Sequence, residues 1–349
     1  MKNLTKRTCG SKAARRDWRN KSRCFLAIPS RIVTGAIVFS AFAGLLLAAG
    51  PGRAAPTTAS SNAATESNQC RQLGTLVPGQ IRVAIESFMP IIGEAGGRLT
   101  GLDGQNMTLL AHELGCQVKI VLADAAGDLA AVQAHRVDAT IGSWGWSAAR
   151  ERAGLFTDPL YYQPVVMAQR KGTDISRVSQ FPGHTLCTLT GFVFIPAMNQ
   201  VPHAIVRTYP TIAAMLLDIA YGRCDIGFGN PLVIPYAESH NPVLKHLTYR
   251  YLAQPTASEL KSAPLFGPVA AGYEDAIYLA PGEKKLEAAL NPLIDRLVGS
   301  GREAKLLEQW GVKDPRFWLT PRDGLVSERI GVDRPTGWVA PHCSGSACR

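Results

Sequence analysis

The stretch Asp138 to Tyr162, DATIGSWGWSAARERAGLFTDPLYY, restricts the fold of this chain more than any other. It opens with an apolar run, Ala139-Thr140-Ile141, that reads as a buried strand ending at Gly142. From Ser143 to Ser147 small residues (Ser143, Gly145, Ser147) alternate with Trp144 and Trp146. At a period of two, one side offers hydroxyls and bare backbone and the other offers indoles. Arg150 follows, then Phe156-Thr157-Asp158-Pro159 and the pair Tyr161-Tyr162. Hydroxyls, open backbone N–H groups and a guanidinium at the carboxyl end of a strand are what a site for a small carboxylate requires.

Composition supports a folded body: 46% of the 349 residues are hydrophobic and 18% charged. The net charge of +10 is confined to one end. Residues 1–54 carry eleven Lys and Arg and a single acid, Asp17, while the remainder holds 26 basic and 26 acidic residues. A neutral body has no electrostatic footprint for nucleic acid.

The basic N-terminus leads into an apolar stretch from Ile32 to Ala49 and then Pro51-Gly52-Arg53-Ala54-Ala55. This is the layout of a secretory signal, with Gly52 and Ala54 as the small residues before cleavage after Ala54. An uncleaved anchor is the competing reading, since eighteen apolar residues lie at the lower limit for a membrane span. Residues 55–75 read as a flexible lead-in, its first part rich in Ala, Thr, Ser and Asn. Six cysteines follow the signal: Cys70, Cys116, Cys187, Cys224, Cys343 and Cys348. An even number in an exported chain reads as disulfides, and of the connectivities open to six cysteines we take the sequential one. Cys70 and Cys116 each precede a strand, Cys187 and Cys224 border neighbouring strands, and Cys343 and Cys348 close a small loop. His342 with Cys343 and Cys348 lacks the ligand spacing of a metal site.

Further elements follow from pattern. Strands are expected at Ile81–Ile85, Val118–Leu122, Val165–Ala168, Thr185–Leu189 and Ala276–Ala280. Helices are expected where Met107, Leu110, Ala111 and Leu114 share a face, where Met215, Leu216 and Ile219 do, and from Leu286 through Leu297. A His at 135 suits a helix C-terminal position.

The opening stretch resembles the signature of bacterial solute-binding protein family 3, the periplasmic binding components of polar amino acid ABC transporters. The resemblance extends over about residues 76 to 318 through Gly101-Leu102-Asp103, Gly222-Arg223-Cys224-Asp225 and Trp310-Gly311. It implies an α/β fold of the type II periplasmic binding protein class. Each of two lobes is then a mostly parallel sheet flanked by helices, with a ligand cleft at a two-strand hinge. The implied boundaries are a signal peptide at 1–54, lobe 1 at 76–168 and 277–320, lobe 2 at 169–276, and a C-terminal tail at 321–349. It also implies a periplasmic, monomeric, non-enzymatic protein without cofactor or metal. Its partners would be a small carboxylate-bearing solute and a membrane permease, reached through hinge closure around the solute. An accessory or sensor protein of the same fold, or a dehydratase-like enzyme using a cleft acid such as Glu86, are the alternatives.

Carried over position by position, the family's carboxylate-binding arginine falls on Arg150 and its hydroxyl positions on Ser143 and Ser147, with Gly145 where a hydroxyl is usual. Phe88, in the turn after the first strand, stands where an aromatic often stacks on the ligand; packing behind Pro90 is the other reading. Trp144 supplies an aromatic wall. Gly191 is kept from the family's Gly-Thr pair, but Phe192 replaces the hydroxyl with an aromatic. Asp103 is read as a helix cap or structural group rather than a ligand contact. Asn230 replaces the acid that neutralises an α-ammonium group. An amide offers no full charge to an ammonium in a desolvated cleft. The expected ligand is therefore a carboxylate whose amino group is missing or met elsewhere, for instance at Glu86.

Overall fold

The computed structural model describes residues 69–321 and 338–343. The expected signal peptide at 1–54, residues 55–68 of the expected lead-in, Cys348 and most of the tail lie outside the described residues.

The chain begins with strand β1 (Gln80–Ile85), a short hairpin of β2 (Gly93–Ala95) and β3 (Arg98–Thr100), and helix α1 (Leu102–Glu113). Then come β4 (Gln117–Leu122), α2 (Ala125–Gln133), β5 (Ala139–Gly145), α3 (Ala148–Glu151), β6 (Leu155–Phe156) and β7 (Tyr161–Gln163). The middle of the chain forms β8 (Val166–Arg170), β9 (Thr185–Leu189), α4 (Ile195–Met198), β10 (Ile205–Tyr209), α5 (Ile212–Ala220), β11 (Ile226–Gly229) and α6 (Val233–His240). It ends with β12 (Leu247–Tyr251), α7 (Ala257–Ser262), α8 (Phe266–Ala271), β13 (Tyr273–Leu279), α9 (Lys284–Gly299), α10 (Arg302–Gln309) and α11 (Pro315–Trp318).

Two larger sheets organise these elements. The first has the order β4-β1-β5-β13-β6, with β7 also on β13. β4, β1 and β5 run parallel, and β13 returns antiparallel to β5. The second sheet has the order β10-β9-β11-β8-β12, with β10, β9 and β11 parallel and β8 antiparallel to both its neighbours. The chain crosses from first sheet to second between Gln163 and Val166 and returns before Tyr273. Both crossings fall a few residues ahead of the expected 168 and 277, because β8 pairs with β11 and β12, while β13 joins β7 from Tyr273 on.

Patterning accounts for the cores. Met215, Leu216 and Ile219 of α5 are buried against the second sheet with Cys187 and Ile234. In α9, Leu286, Leu290, Leu293, Ile294 and Leu297 form the face buried with β1 and α1 residues such as Val83 and Leu110. Helix α1 is capped by Gly101 and not by Asp103, which is fully buried within its first turn. Cys70–Cys116 and Cys187–Cys224 are disulfides, with Cα atoms 5.2 and 6.4 Å apart. The first ties the lead-in to the start of β4; the second spans from β9 to the approach to β11. Among the described residues no helix is long and apolar enough to cross a membrane.

Candidate functional site

The strand expected to stop at Gly142 continues to Gly145, but it is broken by a bulge. Gly142 has φ +137 and Ser143 has φ +66, and pairing with β13 shifts register between Ala276 and Tyr278. Any Cβ at 142 would meet Cγ2 of Ile92 at 2.7 Å, so only glycine fits there. The unusual backbone of Ser143 is held by Asp103, whose Oδ2 accepts its N–H at 2.9 Å. Asp103 Oδ1 accepts the Tyr161 hydroxyl at 2.9 Å. Burial raises the pKa of Asp103, and these two donors oppose the shift. The bulge overrides the expected alternation: Gly142, Ser143, Trp144 and Gly145 all line one cavity.

That cavity is completed by Arg150 and Glu86 from the first-sheet side, by Phe192, Val193 and Phe194 after β9, and by Tyr273 at the return crossing. Ser147 does not line it. Its hydroxyl caps α3 by accepting the Arg150 N–H at 3.3 Å, and this sets where the arginine side chain departs. Arg150 is buried, with its guanidinium 4.7 Å from the Trp144 ring centroid. Nη1 donates to Gly145 O at 2.5 Å and Nη2 to Gly191 O at 2.8 Å. Among the described residues no carboxylate forms an ion pair with it. Burial draws its pKa down to about 10, the direction expected for a cation without a counter-charge.

Glu86 is the acidic counterpart in the same cavity. Burial, followed by the charges of Asp128 and Asp124, pushes its carboxyl up to about 8. Asp128 is itself pushed up to about 7 by burial and by Asp124.

Gly145 stands where the family resemblance calls for a hydroxyl, and the reason lies in Tyr273: a Cβ at 145 would come within 3.0 Å of its ring. Asn230 is fully buried and does not line the cavity. Its Nδ2 donates to Ser143 Oγ at 3.2 Å and to Gln163 Oε1, while Oδ1 accepts the Leu232 N–H at 2.7 Å. Ser143 Oγ also accepts from Gln163 Nε2 at 2.5 Å and pairs with the Tyr273 hydroxyl at 3.2 Å. Gln163 Nε2 donates in turn to Asp275 Oδ2 at 2.7 Å. This buried network joins β5, both crossings and the loop after β11.

Phe88 is fully buried in the core, its ring centroid 6.0 Å from that of Phe192 in an edge-on arrangement, and it does not line the cavity. Of the nine residues expected at the site, Ser143, Trp144, Gly145, Arg150 and Phe192 line one cavity. Gly191 contributes its carbonyl to Arg150. Ser147, Asn230 and Phe88 sit behind these residues. Sequence reasoning missed Gln163, Tyr273, Val193 and Phe194. Gln163 carries a faint signal as a polar residue between Tyr161-Tyr162 and Pro164, whereas nothing local distinguishes Tyr273.

Comparison with known proteins agrees with this architecture. The curated probable amino-acid-binding protein YxeM of Bacillus subtilis (strain 168) is 24% identical over 140 residues, 39% of this chain. The match spans about half of that relative, 53% of its length. A solved substrate-binding protein of an amino acid ABC transporter superposes with a TM-score of 0.56 at 23% identity, covering 67% of this chain and 99% of the other. An ancestral amino acid-binding protein described as a precursor of cyclohexadienyl dehydratase gives a TM-score of 0.55 at 19% identity, covering 66% and 95%. The family model for bacterial extracellular solute-binding proteins, family 3, matches residues 81–313. With the match running from β1 to just past α10, this chain belongs to that family.

Proposed function

We propose that this protein captures a small amino acid or amino-acid-like carboxylate between its two sheets and delivers it to an ABC permease. The observation that supports this most is Arg150, a buried guanidinium whose hydrogen bonds among the described residues go to main-chain carbonyls, one on each side of the cavity. Neutral carbonyls leave its charge uncompensated, and a ligand carboxylate supplies the missing anion with two parallel hydrogen bonds. Glu86 in the same cavity is a carboxyl held neutral by burial, and an incoming ammonium draws its proton off, so a zwitterion is accommodated without an acid at Asn230. Trp144, Phe192 and Phe194 provide the apolar walls.

The space among these side chains is about 10 Å³, the scale of one water molecule. A solute therefore enters only when the two sheets part at the crossings near 164 and 272, and closure buries it. Export is supported by the cationic and apolar N-terminus and by the disulfides, which persist in an oxidising compartment.

The test is calorimetry and thermal shift of the purified protein against amino acids and against carboxylates lacking the amino group, with Arg150→Ala in parallel. Micromolar binding corresponds to about −8 kcal/mol. Removing one partner of a buried charge pair costs about 2–5 kcal/mol. The expected result is saturable binding that the variant loses. Equal binding by Arg150→Ala overturns the assignment of the carboxylate site. A buried, protonated Glu86 also suits a proton donor in a dehydratase-like enzyme. Recovery of the bound solute chemically unchanged excludes that second reading.

A further inference from the structure

At the opposite end of β5 from Arg150, three side chains converge that the solute site does not use. Asp138 immediately precedes β5, His135 follows α2, and Glu283 lies in the turn between β13 and α9. One ligand atom from each, an imidazole nitrogen and two carboxylate oxygens, lies within 4.8 Å of the others. We propose that His135, Asp138 and Glu283 form a binding site for a divalent cation of the zinc class.

The arrangement is built rather than incidental. Glu283 is 3% exposed, and its Oε1 is 2.9 Å from Nε2 of His135. Its second oxygen, Oε2, is buried without a hydrogen-bond partner. A buried carboxylate oxygen without a partner keeps its full desolvation cost, so the atom calls for a partner that no described side chain provides. Asp138 is fully buried and fixed: its two oxygens accept the backbone N–H groups of Leu76 at 2.7 Å and Arg82 at 2.6 Å. A carboxylate has about four lone-pair sites, so each oxygen retains one for a metal. These backbone donors serve as the outer contacts that orient a ligating group.

Charge points the same way. Two buried carboxylates in one cluster face a single imidazole. A divalent cation balances both acids. His135 is the exposed member, with 39% of its side chain open, and it gives the ion a way in. Ligand atoms on a tetrahedral zinc at about 2.1 Å stand about 3.4 Å apart, so the 2.9 Å contact needs to widen by only a few tenths of an ångström. Three protein ligands with an outer position for water match the chemistry of zinc. The nitrogen ligand disfavours magnesium and calcium, which prefer oxygen donors.

The test uses untagged protein stripped with chelator and titrated with zinc chloride, read by calorimetry and by the unfolding temperature. Magnesium and calcium are run as controls. The expected result is one zinc per chain with a raised unfolding temperature, no comparable effect of the controls, and an affinity reduced at least about a hundredfold in Glu283→Gln and in His135→Asn. Asn at 135 keeps the left-handed backbone of His135, φ +50, and so separates loss of the imidazole from loss of the fold. Absence of saturable zinc binding, or binding unchanged in both variants, overturns the proposal.

Discussion

Gly145 lies against the ring of Tyr273 so closely that a Cβ there would approach Cδ2 to 3.0 Å. A tyrosine at the start of β13 has taken the volume that a side chain at 145 would fill, and its hydroxyl pairs with Ser143. Gly145→Thr is thus an overpacking change, expected to destabilise the protein by about 1–3 kcal/mol. Urea denaturation measures this directly. Combining it with Tyr273→Ala is expected to restore part of the loss, whereas strict additivity of the two changes would show that the contact is not the cause.

Asn230 marks a second exchange of roles. Its amide donates to both Ser143 and Gln163, so Asn230→Asp removes two donors and sets a carboxylate facing the Gln163 carbonyl oxygen. The variant is expected to lose about 1–3 kcal/mol of stability at pH 8. It should lose less at pH 5, where a protonated carboxyl can again donate. Calorimetry with α-amino acids is expected to show tightening of about tenfold or more if the new charge reaches the ligand's ammonium. Unchanged affinity would mean that position 230 has left the solute site altogether.

The expectations drawn from periodicity hold where burial is continuous. Thr185–Leu189 is β9 residue for residue, and the faces of α5 and α9 are the ones the spacing indicates. Among the strands missed, β10 and β12 are the two edges of the second sheet, and their exposed residues dilute any apolar pattern. Arg150 and Ser143, expected at the site from local spacing, line one cavity. For Phe88 both cleft and core stayed open, because the choice depends on the Phe192 ring beside it and on its backbone bridge to Ile92. Gly145 could be seen to depart from the family pattern, but its cause sits in Tyr273, which no window around residue 145 contains.

Stability should fall on going from mildly acidic to mildly alkaline solution. Glu303 is buried, and burial pushes its carboxyl up to about 8, with Asn106 opposing and Asp103 reinforcing. A folded-state pKa above the unfolded value means the folded protein holds a proton that the unfolded chain gives up. That contribution is intact below about 4.5 and is lost as pH rises through about 8. Glu86 shifts in the same direction. Glu259 acts oppositely, since donors from Ser179 and Thr256 hold its carboxyl low and its contribution fades in acid. Calorimetric unfolding is expected to be best near pH 5. Glu303→Gln keeps an acceptor for Asn106 Nδ2. It should flatten the decline toward pH 8 by on the order of 1–4 kcal/mol. A decline identical to that of the parent protein would remove Glu303 from this account.

The Cys187–Cys224 disulfide closes a sequence separation of 37 residues around β10 and α5. Chain-entropy arguments assign such a loop about 3–4 kcal/mol. Replacing both cysteines with alanine should lower the unfolding midpoint accordingly, with the solute affinity retained because neither residue reaches the cavity. A variant that keeps its midpoint but loses affinity would reverse that division.

Arg150 brings one more consequence. Its guanidinium already holds the carbonyls of Gly145 and Gly191, so the cavity answers the arginine with atoms of its own main chain. On the proposed reading of Arg150 as the carboxylate site, an incoming anion is an exchange partner and not an addition. It must outbid an internal competitor that is always present at the same effective concentration. The measured affinity is then the intrinsic affinity scaled by the fraction of molecules in which that bridge is open. On that reading, residues around Gly191 tune solute capture without ever touching the solute.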